Sequence, residues 1–293
     1  MARTVIFGKS GSGKSWFTGQ RIAEILEPDD PEDEFEYAIH IDLEDEEKGL
    51  SLDGDALLKT FECDKALLRR QVVVDPEDPP DYIPEDELAD GPVIALPKWV
   101  VYKNKYVRVV PDGLADDEEV VLSEMMADAA MTACGSDPSE PDCHFSMDEA
   151  HRIVTLGKIG SRMEDVVTGG RKRGVEWAFI TQRPQAIHKQ VIAQADIGCF
   201  MKLTSERDVK KADKLAESFD AEDVLPGLPQ RVVIVEDYEH GKSYRINTED
   251  LERAYPHIAG DDGKANDKWV KGGEAISERD IAETGGAEAE DDE

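Results

Sequence analysis

Thr4-Val5-Ile6-Phe7-Gly8-Lys9-Ser10-Gly11-Ser12-Gly13-Lys14-Ser15 is the stretch on which the reading of this chain turns. An apolar run meets Gly-x-x-x-x-Gly-Lys-Ser, and Trp16, Phe17, Ile22, Ile25 and Leu26 follow at helical spacing. A buried strand delivers the backbone to a fixed point, and the glycines let it wrap so that several N–H groups face one anion. The N-terminus of the next helix adds partial positive charge. The pattern predicts a nucleoside-triphosphate site, with Gly8, Ser10, Gly11, Ser12, Gly13, Lys14, Ser15 and Trp16 around the phosphates. Lys14 would reach the β- and γ-phosphates and the Ser15 hydroxyl would hold Mg²⁺. A chance glycine-rich turn would have no reason to sit between a strand and a helix.

Such a site needs carboxylates from a second strand, and Cys143-His144-Phe145-Ser146-Met147-Asp148-Glu149-Ala150-His151 offers them. Asp148, ending the strand, would orient Mg²⁺, directly or through water. Glu149 would polarise the attacking water, since a base must lie within hydrogen-bond reach of it. His151 would brace the site. Asp148-Glu149-Ala150-His151 also spells the box of one helicase superfamily, but the residues that follow are too few for the second lobe such a helicase requires.

Further core strands are expected at Tyr37 to Asp42, Glu176 to Gln182 and Ile197 to Leu203. Asp42, at a strand end, either sits near the nucleotide or, as such residues more often do, caps or solvates a loop. Leucine spacing predicts a helix from Leu50 to Arg70, then a short strand Val72-Val73-Val74. Six prolines between Pro76 and Pro97 exclude long helices and interior strands there. Trp99 to Val110 reads as a β-hairpin turning near Asn104, so residues 75–118 are expected to decorate the core as an insertion. A helix follows with Val121, Leu122, Met125, Met126, Ala129 and Ala133 on its apolar face. Arg231 to Tyr238 and Lys242 to Ile246 form a last hairpin around Glu239-His240-Gly241. The expected domain spans 1–256, and the acidic tail 257–293 is expected to be disordered.

With 66 acidic against 34 basic side chains, the chain carries a formal charge of −32. Self-repulsion of that size opposes folding at low ionic strength and fades near 1 M salt, where the Debye length is about 3 Å. The composition therefore suits a salt-loaded cytoplasm. The four cysteines show no paired short spacing, which fits a reducing compartment better than a disulfide framework or a zinc site. No apolar run has the length of a membrane span, and a cytoplasmic location is expected.

One further pair of motifs narrows the reading: the glycine-flanked cluster Gly169-Gly170-Arg171-Lys172-Arg173-Gly174 and the strand end Thr181-Gln182-Arg183-Pro184. With the two motifs above, this order resembles the HerA/FtsK superfamily of ring-forming DNA-pumping ATPases over roughly residues 3 to 215. The resemblance implies an α/β fold of the RecA-like P-loop type, with an additional strand in a mainly parallel sheet flanked by helices. It implies a homo-oligomeric ring of five or six subunits acting on double-stranded DNA through phosphate contacts. By it Gln182 matches the polar sensor of the γ-phosphate, and Arg171 or Arg173, with Arg162 behind them, matches the finger that enters the neighbouring subunit's site. The concentrated positive charge, from Arg162 through Arg183, His188 and Lys189, lies in the same region and would face DNA, whereas Lys210, Lys211 and Lys214 read as a solvated helix face. With its first strand beginning by residue 3, the chain looks more like the genome-packaging ATPases of membrane-containing icosahedral viruses, a resemblance that implies capsid or membrane-vertex proteins as partners. A cellular or plasmid DNA-transfer motor, and a nucleotide switch that never touches DNA, are the alternative readings.

Overall fold

The computed structural model describes residues 2–26, 35–45, 58–74, 93–134, 142–248 and 287–288. The glycine-rich motif links strand β1 (Arg3–Phe7) to helix α1 (Lys14–Leu26). Then come β2 (Tyr37–Ile41), β3 (Lys59–Cys63), α2 (Lys65–Arg69), β4 (Gln71–Val73), β5 (Val93–Ala95), α3 (Leu96–Asn104) and β6 (Tyr106–Pro111). After α4 (Asp116–Ala133) and β7 (Cys143–Met147), α5 (Ser161–Gly169) leads through a 3-10 turn, Gly170–Arg173, into β8 (Val175–Thr181). The remaining elements are α6 (Lys189–Gln194), β9 (Ile197–Phe200), α7 (Glu206–Asp213), α8 (Ala221–Val224), β10 (Val232–Asp237), β11 (Lys242–Asn247) and β12 (Ala287–Glu288).

Nine strands form one sheet in the order β11-β10-β9-β1-β8-β7-β2-β6-β3, parallel except for the antiparallel edge made by β10 and β11. Strand β8 lies between β1 and β7, so the strand that leads into Gln182 separates the phosphate loop from the acidic pair. The central strands are legible because a parallel strand covered on both faces is apolar along its whole length. Alternation divides the core. Val5, Phe7, Ile39, Phe145 and Phe179 face a large cluster with α3, α4 and α5, whereas Ile6, Ile180 and Cys199 face Trp16 and Phe17 of α1. The C-terminal hairpin occurs as expected, with Gly241 at φ +61° in its turn. A small second sheet pairs β4 with β5 and β12.

Three expectations are corrected. Residues 99–110 are not a hairpin: Leu96–Asn104 is helical, and Tyr106–Pro111 is an interior strand paired with both β2 and β3. The run of Trp99, Val100, Val101 and Tyr102 has strand propensity, but Pro97 suits the first turn of a helix and all four side chains are buried. The Asn104 amide also closes that helix by donating to the Val100 carbonyl at 2.8 Å. This part of the expected insertion thus belongs to the main sheet. Second, the described part of the Leu50–Arg70 helix is strand β3 followed by the short α2, because the Asp64 carboxylate accepts from Leu67 N–H and starts a new helix. Third, Val121 is 46 % exposed; the buried face of α4 is Leu122, Met126, Ala129, Ala130 and Ala133. Apart from β12, the acidic tail lies outside the described residues, as do 75–92 of the expected insertion.

Candidate nucleotide site

Gly8, Gly11 and Gly13 show why the loop needs glycine. A Cβ on Gly8 would stand 2.5 Å from Ser12 Oγ and 3.0 Å from Lys14 Cγ, while Gly11 and Gly13 adopt φ +74° and +101°. Any side chain would fill the cradle or strain the backbone. The loop is anchored at both rims: Gly8 N–H donates to the Thr181 carbonyl at 3.3 Å, Lys9 N–H to the Lys202 carbonyl at 2.9 Å. Ser12 N–H closes the turn onto the Lys9 carbonyl at 3.1 Å. Lys14 and Ser15 open α1, whose N-terminus therefore faces the cradle. Ser10 and Gly11 are exposed, and Lys14 is 6 % exposed. The Trp16 indole packs in the core against Ile6 and Met201, which leaves its backbone as the part that can meet a ligand.

The acidic pair arrives at the same place. Lys14 Nζ lies 3.6 Å from Glu149 Oε1, with both side chains almost wholly buried. Glu149 has φ 44°, ψ 39°, a left-handed conformation that costs a non-glycine residue about 1–3 kcal/mol. That bend turns the carboxylate back toward the phosphate loop. His151 Nδ1 contacts Glu149 Oε2 at 3.0 Å and Thr181 Oγ1 at 3.0 Å, and the Gln182 backbone N–H donates to the Glu149 carboxylate. Burial alone would raise the Glu149 pKa, but His151, Lys14 and Gln182 outweigh it and hold the group below its ordinary value. Asp148, 3 % exposed, behaves oppositely. Burial, helped by the nearby charges of Glu149 and Asp42 against the opposing pull of Lys14, pushes its carboxyl up to about 7. Its Oδ1 accepts from the Glu149 N–H at 2.8 Å. Two adjacent carboxyls are thus split into one held ionised and one that resists ionisation until a cation reaches it.

Asp42 is not the solvated loop residue expected. It is fully buried, and Arg108 on β6 reaches its carboxylate at 2.6 Å and also contacts Asp45 at 2.6 Å. This ion pair was hidden in the sequence because its basic partner lies in the stretch read as a hairpin. Behind it, His40 Nδ1 and Ser146 Oγ are 2.9 Å apart, and burial lowers the His40 pKa to about 4. Among the described residues no group of three or more metal-ligating side chains forms a cation cage. Ser15 and Asp148 with phosphate oxygens nevertheless suit Mg²⁺, which usually takes few protein ligands.

No family model matches this sequence, and no curated protein sequence does. Solved structures do match. The genome packaging NTPase B204 from Sulfolobus turreted icosahedral virus 2, in complex with ATP-gammaS, aligns at TM-score 0.50 and 14 % identity over 83 % of this chain and 96 % of that one. The DNA-packaging ATPase B204 from Sulfolobus Turreted Icosahedral Virus aligns at TM-score 0.51 and 15 % identity over 83 % and 96 %. The bacterial conjugative coupling protein TrwBdeltaN70 aligns at TM-score 0.50 and 10 % identity over 88 % of each chain. The fold is that of a RecA-like P-loop ATPase.

Within that fold the predicted residues fall into two groups. Gly8, Ser10 to Ser15, Asp148, Glu149 and Gln182 converge at the carboxyl ends of β1, β7 and β8. Arg171 and Arg173 do not join them. They precede β8, whose seven residues span about 23 Å at about 3.3 Å each. They therefore sit at the opposite end of that strand from the phosphate loop. Arg171 is 47 % exposed and lies 3.7 Å from both Asp196 and Glu239, while Arg173 donates to the Met131 carbonyl at 3.4 Å. Arg162 pairs with Asp128 at 2.9 Å, and Lys210 with Glu206 at 2.6 Å, so acidic neighbours balance part of the basic region. Sequence reading missed Thr181, whose hydroxyl meets His151 and accepts from Arg183 N–H, and Arg231, whose N–H donates to the Ser12 carbonyl at 2.8 Å. Thr181 lies in the strand-end motif but only Gln182 was given a role there, and Arg231 lies in no motif.

Proposed function

We propose that this chain is an ATP-hydrolysing motor that drives double-stranded DNA through a ring of its own copies, most concretely a viral genome-packaging ATPase. The observation that carries the reading is the meeting of Lys14, Glu149 and the Gln182 amide in one buried cluster beside a glycine cradle. In hydrolysis the backbone N–H groups of the loop and Lys14 hold the triphosphate. Lys14 must first leave Glu149 for the phosphate oxygens, freeing an ionised carboxylate to orient water and accept its proton. Water oxygen bonds to the γ-phosphorus as the bond to the leaving ADP oxygen breaks. Ser15 and Asp148 would hold Mg²⁺, which neutralises charge on the phosphates. Gln182 would register the γ-phosphate. Arg171 or Arg173, too far from its own loop, would act on the neighbouring subunit's phosphates, making turnover depend on ring assembly.

DNA contact is supported by a pair of joined loops beyond the site. Leu156 N–H donates to the Ala186 carbonyl at 2.8 Å and His188 N–H to the Val154 carbonyl at 3.0 Å. The joined loops carry exposed Leu156, Lys158, Arg183 and Lys189, and each begins a few residues after Glu149 or Gln182. Such a patch can hold phosphates without reading bases. The aligned B204 and TrwB structures, a DNA-packaging ATPase and a conjugative coupling protein, support a DNA-moving role. The acidic composition supports action in the cytoplasm of a salt-loving host, and on the likeness to a packaging ATPase its docking partners would be capsid or membrane-vertex proteins. The deciding measurement is ATPase rate with and without linear duplex DNA across a range of salt. Stimulation is expected; its absence at every salt concentration would favour a nucleotide switch. Stimulation in a host lacking capsid genes beside this one would favour a cellular or plasmid motor.

A further inference from the structure

Arg231 lies just before β10, remote in sequence from the phosphate loop and in contact with it. Its φ is +62°, a conformation a glycine would occupy at less cost. Two backbone bonds hold it there: its N–H donates to the Ser12 carbonyl at 2.8 Å, and its carbonyl accepts from Thr248 N–H at 2.7 Å. The side chain then crosses the open face of Gly13. A Cβ built on Gly13 would lie 3.3 Å from Arg231 Cγ and 3.4 Å from its Cα. Gly13 stands where the cradle passes into α1, and the guanidinium nitrogens lie two to four bonds beyond Cγ. The residue is exposed at that lip, so phosphate oxygens entering the cradle would compete for its guanidinium with the contacts it already makes. A backbone brace alone would be served as well by glycine; an arginine held by its backbone at the lip of an anion cradle supplies a charge that a glycine cannot.

On the reading of this loop as a triphosphate site, we propose that Arg231 is a nucleotide-contacting residue acting in the same chain, its guanidinium pairing with phosphate oxygens of the bound nucleotide. The ligand class is the di- or triphosphate chain itself, not the base. This differs from Arg171 and Arg173, which would serve the neighbouring subunit.

The test is binding of ADP and of inorganic tripolyphosphate to Arg231→Gly, Arg231→Gln and Arg231→Lys, beside Lys14→Ala. Arg231→Gly keeps the left-handed backbone and removes only the side chain, so its thermal melting without ligand should match the parent. Loss of a charge-assisted contact should weaken both ligands about tenfold in the Gly and Gln variants, with partial recovery in Lys. Unchanged affinity in the Gly and Gln variants would overturn the proposal. So would a loss for ADP without one for tripolyphosphate, which would assign Arg231 to the base or ribose. If Lys14→Ala also binds both ligands normally, the triphosphate reading itself fails, and this proposal with it. Should the Gly variant not fold, the Gln and Lys pair carries the comparison.

Discussion

Asp148 and Glu149 are neighbours whose carboxyls the fold drives apart, one held ionised by His151 and Lys14, the other pushed by burial up to about 7. For Asp148 the sign is clear. Its folded pKa exceeds the ordinary value of 3.8, so the folded state binds the extra proton and stability falls as pH rises through that window. Asp148→Asn should therefore stabilise the protein without nucleotide or magnesium, by of order 3 kcal/mol at pH 8 and less at pH 5.5. Urea unfolding at the two pH values checks this, and an equal gain at both would mean the group is not buried as described. The same variant should lose magnesium-dependent turnover. Glu149→Gln should keep ATP bound while turnover drops by at least about 100-fold; near-normal turnover would remove it as the group that accepts the proton. The sequence disclosed these two residues because motif spacing fixes chemistry directly. It could not disclose that Glu149 sits left-handed, nor that Asp42 is a buried anion, since both depend on what folds against them.

Strand β6 shows how an element can be misread while its neighbours are legible. Strands β1, β2, β7 and β8 are mostly buried and mainly apolar, with buried polar exceptions such as His40, His144 and Ser146, and the sequence marks them as strands. The stretch before β6 has equally strong strand propensity, yet packing makes it helix α3, and β6 itself brings Arg108 beneath the site. Removing one partner of that buried pair should be expensive. Arg108→Met should cost about 3–5 kcal/mol in urea unfolding, and adding Asp42→Asn should restore much of it, because the single change strands an anion. If the double variant is no better than the single, the pair is not the cause. At the joined loops, Leu156→Ala with Lys158→Ala should reduce DNA stimulation of the ATPase while leaving the DNA-free rate unchanged, since neither side chain meets the nucleotide cluster. A fall in the DNA-free rate would make the loops part of that cluster instead.

Across the whole molecule the net charge of −32 sets the terms of stability. Melting temperature should climb as KCl is raised toward about 1 M, where repulsion between surface carboxylates is screened; a flat response would show that the charge is balanced locally. Mixing Arg171→Ala subunits with unaltered ones should depress activity more steeply than their proportion if the arginine serves a neighbour, and in simple proportion if it does not. The sequence could not reveal why the first outcome is expected, because the distance between that arginine and its own phosphate loop appears only once β8 is placed. Strand β8 ends at one tip beside Glu149 and begins at the other beside the Gly170–Arg173 turn. Strand β8 is paired along its length with β1 on one side and β7 on the other. In a closed circle of such chains, news that one subunit has spent its ATP would arrive next door as a small mechanical push.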